Sequence, residues 1–181
     1  MKIFKKSLST LSKMMGFIFL LVAFSSISVK GQTILSEGFE NPQSSWSSYT
    51  TDTLSFTSGL WSLVEVFPEN GARVYQGSKA ARINDDKPGA SLTTPALDSV
   101  GTVSFYYVRP FSGAGEFVLQ KSVGGAPYTS LDTVNYTNDT LPNFSQYNYD
   151  INDASQNIRI RVLNDDNTAH LSVDEFEVKK Y

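Results

Sequence analysis

Short runs in which apolar and polar residues alternate recur along this chain, and clusters of Gly, Pro, Asn and Asp separate them. Alternation with a period of two is typical of half-buried β-strands, and no long segment keeps the apolar spacing of an amphipathic helix. The pattern predicts the strands Ile34–Glu40, Trp61–Val66, Lys79–Asn84, Ala90–Thr93, Thr102–Arg109, Glu116–Val123, Tyr128–Val134, Gln146–Ile151, Asn157–Leu163 and Ala169–Val178. So many short strands favour an all-β chain folded as an antiparallel two-sheet β-sandwich.

The last predicted strand, Ala169–Val178, changes phase in its middle. Leu171 and Val173 alternate with polar residues, but the next apolar position is Phe176. A slip of one residue indicates a β-bulge, in which two residues of one strand face a single residue of its neighbour. We predict the bulge at Asp174 and the residue after it, where it would redirect a carboxylate.

The N-terminal segment has the composition of a secretory signal peptide. Its start is rich in lysine, an apolar run covers residues 14–29, and the first acidic residue is Glu37. The uninterrupted apolar stretch is short for a membrane span of about 20 residues. We expect cleavage after Gly31, with an earlier site at residues 26–28 as the alternative. Residues 1–31 are then a signal peptide, and residues 32–181 form one domain that is secreted or held on the outer surface of a Gram-negative bacterium.

The net charge limits the classes of partner that the chain can bind, and the absence of cysteine limits its covalent cross-links. The signal segment carries five of the 15 basic residues and none of the 18 acidic ones, which leaves a net charge of −8 on the mature chain. Because phosphate backbones and anionic lipids attract basic surfaces, neither nucleic-acid binding nor membrane insertion is expected. The chain has no cysteine, so neither a disulfide nor a lipidated cysteine is available.

Six short motifs follow one another along the mature chain: ILSEGFE (34–40), Trp46 or Trp61, GSKAARI (77–83), LTTPALD (92–98), VSFYY (103–107) and SVDEFEV (172–178). In this order they resemble the jelly-roll modules grouped as cleaved-adhesin or choice-of-anchor-J domains. These modules are similar to MAM domains and to several carbohydrate-binding modules. The resemblance implies a jelly-roll sandwich across nearly the whole mature chain.

The resemblance also implies a structural calcium ion. Its ligands would come from the first strand, the last strand and a Gly-Ser loop: Glu40, Asp174, and a carbonyl or hydroxyl oxygen of Ser78 and Lys79. Gly38 stands where the family often has an acid, and Glu37 is the candidate replacement. Because Ca²⁺ takes six to eight oxygens, further carbonyls and water would complete its shell. Solvated acids at ordinary strand ends are the alternative explanation.

Aromatic and arginine side chains are the candidates for contacts with a ligand. An exposed ring can stack on a sugar while neighbouring polar groups bind its hydroxyls. The residues selected are Trp46, Trp61, Tyr106, Arg159 and Arg161, with Tyr49 and Tyr75 as further aromatic candidates. Tyr106 and both arginines alternate with apolar residues, so we expect them on outward faces, where arginines beside Tyr106 would suit an acidic sugar. Core packing of the rings and pairing of the arginines with surface acids are the alternatives.

The sequence contains few residues and motifs that are typical of enzymes. It has no cysteine nucleophile, no Gly-x-Ser-x-Gly elbow and no phosphate loop, and its single histidine is His170. The leading hypothesis is therefore an exported, non-catalytic module that binds a polysaccharide or another glycan. The second is a cell-surface domain that contacts proteins and has no sugar site. The third is a small polysaccharide lyase that uses His170 and a tyrosine.

Four tripeptides resemble an Asp-(Ser/Thr)-aliphatic acceptor for O-glycosylation in some Gram-negative bacteria. They are Asp52-Thr53-Leu54, Asp98-Ser99-Val100, Asp132-Thr133-Val134 and Asp139-Thr140-Leu141. A β-protein rich in threonine also produces such tripeptides by chance.

Overall fold

The computed structural model describes residues 31–164 and 168–181 of the chain, so the predicted signal peptide lies outside the described residues except for Gly31. The described part contains one 3₁₀ turn, Gly71–Arg73, and otherwise strands joined by loops. The strands are β1 (Thr33–Glu37), β2 (Thr50–Phe56), β3 (Gly59–Glu69), β4 (Ala80–Ile83), β5 (Ser91–Thr93), β6 (Val100–Val108), β7 (Glu116–Val123), β8 (Thr129–Asn135), β9 (Ser145–Asp153), β10 (Ile158–Leu163) and β11 (Leu171–Lys180). The all-β prediction is confirmed. None of the described residues belongs to a helix long and apolar enough to span a membrane.

The strands form one antiparallel sheet that curls until its two halves face each other. The order is β8-β7-β10-β5-β3-β4-β11-β6-β9, with β1 added to β11 and β2 added to β3. β3 belongs to both halves, because residues 62–64 pair with β5 and residues 66–69 pair with β4. Between these segments lies Glu65, whose backbone is left-handed at a φ of 53°.

We call β1, β4, β6, β9, β11 and the end of β3 the first sheet. The second sheet consists of β2, β5, β7, β8, β10 and the start of β3. This arrangement agrees with the predicted two-sheet jelly-roll sandwich.

The core between the sheets is built from aromatic rings. Trp61 is fully buried, and its ring meets Phe39 and Phe176 edge-to-face at centroid distances of 5.2 and 5.3 Å. Phe105 of the first sheet packs against Phe117 of the second sheet at 5.6 Å. Edge-to-face pairs such as those of Trp61 add about 0.5–1.5 kcal/mol each beyond the burial of their area. The core therefore joins the two sheets without any covalent cross-link.

The predicted bulge in the last strand is confirmed. The pairing of β11 with β6 shifts between Asp174 and Glu177, and Glu175 has a left-handed backbone at a φ of 49°. Leu171 and Phe176, on either side of the bulge, both lie in the core. Asp174 lies opposite Tyr106 and faces the outer side of the first sheet by regular alternation with Val173, and the extra residue Glu175 returns Phe176 to the core.

One strand was missed. β2 begins with four polar residues, and within the described part of the chain it has a partner strand, β3, on one side. Only Leu54 and Phe56 of this strand enter the core. Two apolar residues are too few to stand out as an alternating pattern.

Candidate functional site

The outer face of the first sheet is lined by side chains that point away from the core. Phe67, Arg82, Ser172 and Val108 are direct neighbours across β3, β4, β11 and β6. Ile83, the next residue along β4, is fully buried in the core. Because successive side chains of a strand alternate between faces, this row lies on the side opposite the core.

Arg82 is the centre of a cluster on this face. Its Nη1 donates a hydrogen bond of 2.6 Å to Glu69, which is only 2 % exposed. The guanidinium carbon lies 4.4 Å from the centre of the Phe67 ring, 5.3 Å from Phe111 and 5.4 Å from Tyr49. A guanidinium attracts the negative faces of aromatic rings, so these contacts favour one position of the arginine.

Two buried polar atoms in this row have no hydrogen-bond partner among the described residues. They are Arg82 Nε and Ser172 Oγ. A buried polar group without a partner costs about 1–3 kcal/mol, so such groups normally bind water or a ligand. The face therefore has hydrogen-bonding capacity that the protein itself does not use.

Exposed aromatic rings flank the Arg82 cluster. Tyr75 is 42 % exposed and stacks on Tyr106, with ring centroids 3.6 Å apart and planes 9° from parallel. Phe144 meets Tyr75 edge-on at 5.5 Å. Phe111 is 40 % exposed, and the guanidinium of Arg73 lies 4.5 Å above its ring. We call the surface formed by Arg73, Tyr75, Tyr106, Phe111 and Phe144 the aromatic face.

Two carboxylates hold the loop that carries Tyr75. Asp174 Oδ2 accepts the backbone N–H groups of Tyr75 and Gln76 at 2.9 and 3.0 Å. Glu40 accepts the N–H of Ser78 at 2.8 Å, its hydroxyl at 2.6 Å and the N–H of Lys79 at 3.1 Å. The two acids thus bind successive parts of residues 75–79, and we call this segment the clamped loop.

Gly77 is required at the middle of the clamped loop. Its backbone is left-handed at a φ of 78°, and a Cβ atom there would lie 2.1 Å from Glu40 Oε1. Any other residue would therefore displace the carboxylate that holds Ser78 and Lys79. Steric exclusion of a side chain thus explains the glycine of the Gly-Ser pair in the sequence motif.

The residues predicted to bind calcium partly meet at the clamped loop. Glu40 and Asp174 both bind it. The side chains of Glu40 and Glu175 also approach each other beside Gly38, since a Cβ atom built on Gly38 would lie 2.9 Å from Glu175 Oε1 and 3.9 Å from Glu40 Cγ. Burial raises the pKa of the fully buried Asp174 to about 6. The charge of Glu175 adds to this rise, and hydrogen bonds from three backbone N–H groups oppose it. Among the described residues, no three acidic or histidine side chains form a ready metal cluster. Oxygen donors suitable for a hard cation are present, and the calcium site stays a prediction.

Glu37 lies apart from these acids. Its carboxylate accepts the N–H of Phe39 at 2.8 Å, and the N–H and hydroxyl of Ser58 at 3.1 and 2.8 Å. Ser58 belongs to the turn between β2 and β3. Glu37 therefore holds that turn, and no recorded bond joins it to the clamped loop as the replacement ligand would require.

The two tryptophans were assigned wrongly as surfaces for a sugar. Trp61 is fully buried, and its indole N–H donates to Ser58 Oγ at 2.8 Å. Trp46 is 5 % exposed, and its N–H donates to the carbonyl of Val66 at 3.2 Å. Both rings fill the core because they are large apolar surfaces whose one polar atom finds a partner there.

The two arginines predicted beside Tyr106 lie on the opposite side of the molecule. Arg159 and Arg161 are on β10, in the outer face of the second sheet. Arg161 donates to Gln120 Oε1 and lies 3.9 Å over the Tyr128 ring, while Arg159 donates to the carbonyl of Thr94. The prediction of a shared site with Tyr106 is wrong, because alternation shows that a side chain points outward without showing from which sheet.

His170 borders the Arg82 cluster, directly before β11. Its Nδ1 lies 2.9 Å from Asp85 Oδ1, and its ring is 5.3 Å from Phe111 and 6.3 Å from Tyr49. Burial lowers the pKa of His170, Asp85 opposes this shift and Arg82 adds to it. The lowered pKa favours the neutral imidazole at pH 7.

The sequence patterns missed Arg73, Arg82, Phe111 and Phe144 as members of this site. Phe111 stands between Pro110 and a Gly-rich turn, and a large apolar residue in such a turn is a signal of an exposed ring. The other three carry no comparable local signal.

Comparison with known proteins identifies the fold. The chain matches no protein-family model and none of the curated proteins. Among solved structures it is similar to the K1 cleaved adhesin domain of Lys-gingipain from Porphyromonas gingivalis, with 20% identity, 83% of this chain and 99% of that chain covered, and a TM-score of 0.58. The K2 cleaved adhesin domain of Lys-gingipain matches with 10% identity, coverage of 79% and 97%, and a TM-score of 0.58.

A carbohydrate-binding module is similar to the same extent. The CBM22-1 xylan-binding domain of a xylanase, Xyn10C, from Paenibacillus barcinonensis has 15% identity, coverage of 83% and 96%, and a TM-score of 0.56. These similarities extend over nearly the full length of each neighbour. The chain therefore has the jelly-roll fold shared by cleaved adhesin domains and carbohydrate-binding modules.

Proposed function

We propose that this protein is an exported, non-catalytic module that binds a glycan on its aromatic face. The observation that carries the proposal is the exposure of Tyr75 and Phe111, each about two-fifths exposed, beside arginines held in fixed positions. A flat, exposed ring offers an apolar surface to a sugar ring, and neighbouring donors bind its hydroxyls. The xylan-binding neighbour supports a glycan over a protein partner.

Charge at the site favours a neutral glycan. Arg73 and Arg82 approach the same carboxylate, Glu69, at 3.6 and 2.6 Å. Asp85 adds a further negative charge next to His170. Because the arginines already have a counterion, we expect them to donate hydrogen bonds to sugar hydroxyls and not to require an acidic sugar.

A glycan array and titration calorimetry test this function. We expect the wild-type chain to bind one or more neutral polysaccharides, with xylan and galactan included in the panel. Tyr75→Ala and Phe111→Ala should each weaken binding about 10–100-fold, since truncating a central aromatic contact costs about 2 kcal/mol or more.

The matched control is Leu60→Ala. Leu60 is 59 % exposed and lies opposite Ser55 in the hairpin of the second sheet, so its removal should leave binding unchanged. If no glycan binds, or if Tyr75→Ala and Phe111→Ala bind as tightly as the wild type, the glycan site is refuted. A screen for protein partners then becomes the next test.

We further propose a structural calcium ion beside the clamped loop, with Glu40, Asp174 and oxygens of Ser78 and Lys79 as ligands. Asp174 is fully buried, Glu175 is adjacent, and no salt bridge to a basic side chain is recorded for Asp174 among the described residues. A divalent cation would compensate these charges and join the segment after β1 to β11. Hard oxygen donors are the ligands that Ca²⁺ prefers.

Thermal unfolding with calcium and with EDTA tests the metal. A ligand at 100 times its Kd stabilises the folded state by about 2.7 kcal/mol, which corresponds to a rise of about 5–10 °C in a domain of this size. Glu40→Gln should abolish the rise. Asp150→Asn, which removes an exposed acid on β9, should retain it. Equal melting temperatures of the wild type in calcium and in EDTA would rule the ion out.

The geometry does not favour a lyase. Tyr49 contacts His170 through its ring, at a centroid distance of 6.3 Å, but its hydroxyl is buried, and burial also raises its pKa. A substrate would have to reach that oxygen for proton transfer. We therefore expect no unsaturated product from a panel of polyuronates, and product formation that His170→Ala abolishes would overturn the non-catalytic function.

A further inference from the structure

The four Asp-(Ser/Thr)-aliphatic tripeptides differ in whether their hydroxyl is accessible. Thr53 and Thr133 are exposed on β2 and β8, and no hydrogen bond from either hydroxyl to the described residues is recorded. In both, the Asp before the threonine accepts the threonine's own N–H, at 2.7 Å for Asp52 and 2.9 Å for Asp132. These two tripeptides share one local geometry, with the hydroxyl open to solvent.

The other two tripeptides are engaged in turns. Ser99 has a left-handed backbone at a φ of 58°, its hydroxyl donates to the carbonyl of Tyr181 at 3.4 Å, and Asp98 accepts the N–H of Asn157 at 2.8 Å. Asp139 accepts hydrogen bonds from Ser145 and from Tyr107, and its own carbonyl accepts the N–H of Arg109. Ser99 and Thr140 are both only partly exposed, whereas Thr53 and Thr133 are exposed. Engagement of the acid does not make this distinction, because Asp132 also accepts a hydrogen bond of 2.9 Å from the hydroxyl of Tyr147.

The two open threonines lie on the outer face of the second sheet, at its two margins. Thr53 is opposite Ser62, and Thr133 is opposite Val118, which is in turn opposite Leu163 of β10. Among the strands of the described residues, β2 pairs only with β3, and β8 pairs only with β7. Both positions therefore lie on terminal strands that an enzyme can approach from the side, and both lie on the face opposite the aromatic face.

From this accessibility we infer that Thr53 and Thr133 are O-glycosylation sites, whereas Ser99 and Thr140 are not. In the modification, the threonine oxygen forms a bond to the anomeric carbon of a glycosyl diphosphate donor. The bond between that carbon and the diphosphate oxygen breaks, the diphosphate leaves with the electron pair, and the hydroxyl proton passes to a base of the transferase. Glycans at both margins would also shield the strand edges, which otherwise offer unpaired backbone groups to other chains.

Intact-mass measurement and glycopeptide mapping test the inference. The full chain is produced in a Gram-negative bacterium that attaches O-glycans to Asp-Thr-aliphatic sequences, and a reporter peptide with the same tripeptide confirms that its transferase is active. We expect a mass increase of two glycans. Thr53→Ala and Thr133→Ala should each remove one, and the double variant should have the mass of the unmodified chain.

Matched variants separate the motif from the fold. Ser99→Ala and Thr140→Ala should keep both glycans. Asp52→Asn retains the Thr53 hydroxyl and a side-chain oxygen that accepts the Thr53 N–H, but it removes the negative charge of the acid. The glycan at Thr53 should therefore be lost, and the melting temperature should be unchanged. An unmodified wild-type chain beside a modified reporter, or a glycan mapped to Ser99 or Thr140, would overturn the inference.

Discussion

Gly77→Ala is expected to weaken glycan binding more than tenfold even though residue 77 is not part of the aromatic face. A Cβ at this position would lie 2.1 Å from Glu40 Oε1 and 2.7 Å from Glu40 Cδ, so the carboxylate must move. Ser78 and Lys79 then lose their acceptor, and the loop that presents Tyr75 loses one of its two anchors. We expect affinity to fall more than tenfold in calorimetry, with a loss of about 2 kcal/mol or more in unfolding free energy.

Gly71→Ala is the matched control for this prediction. Gly71 also has a left-handed backbone, at a φ of 67°, but a Cβ there would meet no atom within 4 Å. The cost of placing alanine in a left-handed conformation, about 1–2 kcal/mol, is therefore common to both variants, and only Gly77→Ala adds the clash. Gly71→Ala should bind the glycan like the wild type. Equal affinities for both variants would show that the clamped loop does not position the binding surface.

Trp61→Ala is expected to lower the unfolding free energy by about 3–5 kcal/mol, the largest stability effect predicted here. The indole is fully buried between Phe39 and Phe176, and its N–H bonds the hydroxyl of Ser58. Its removal leaves a cavity between the two sheets. Chemical denaturation, monitored by far-UV circular dichroism so that the signal does not depend on tryptophan fluorescence, measures the change in unfolding free energy.

Tyr75→Ala provides the contrast with Trp61→Ala. The Tyr75 ring is 42 % exposed and its main contact is the stack on Tyr106, so its loss should cost only about 1 kcal/mol of stability. Its effect on glycan affinity should nevertheless be large, whereas folded Trp61→Ala protein should keep most of its affinity below its transition temperature. A Trp61→Ala variant that is as stable as the wild type but does not bind would place the sugar surface at the tryptophan.

The sequence predicted the positions of some residues of the site correctly and of others wrongly. The bulge at Asp174 was predicted because a phase slip between Val173 and Phe176 is a local feature of one strand. The burial of Trp61 was not predicted, since a tryptophan's type is compatible with a core and with a sugar-binding surface. The positions of Arg159 and Tyr106 on opposite faces depend on which strands pair, and pairing joins residues far apart in the chain.

The sequence by itself determined the all-β class, the approximate positions of most strands, the bulge and the resemblance to adhesin and carbohydrate-binding modules. These depend on local alternation and turn residues, which act within a few positions along the chain. Only the tertiary structure decided that Glu40 and Asp174 hold one loop, that Arg82 stacks among three rings, and that two of four acceptor tripeptides are open. Each of these depends on strand order and register, which are set by packing between distant segments and leave no mark on the local pattern.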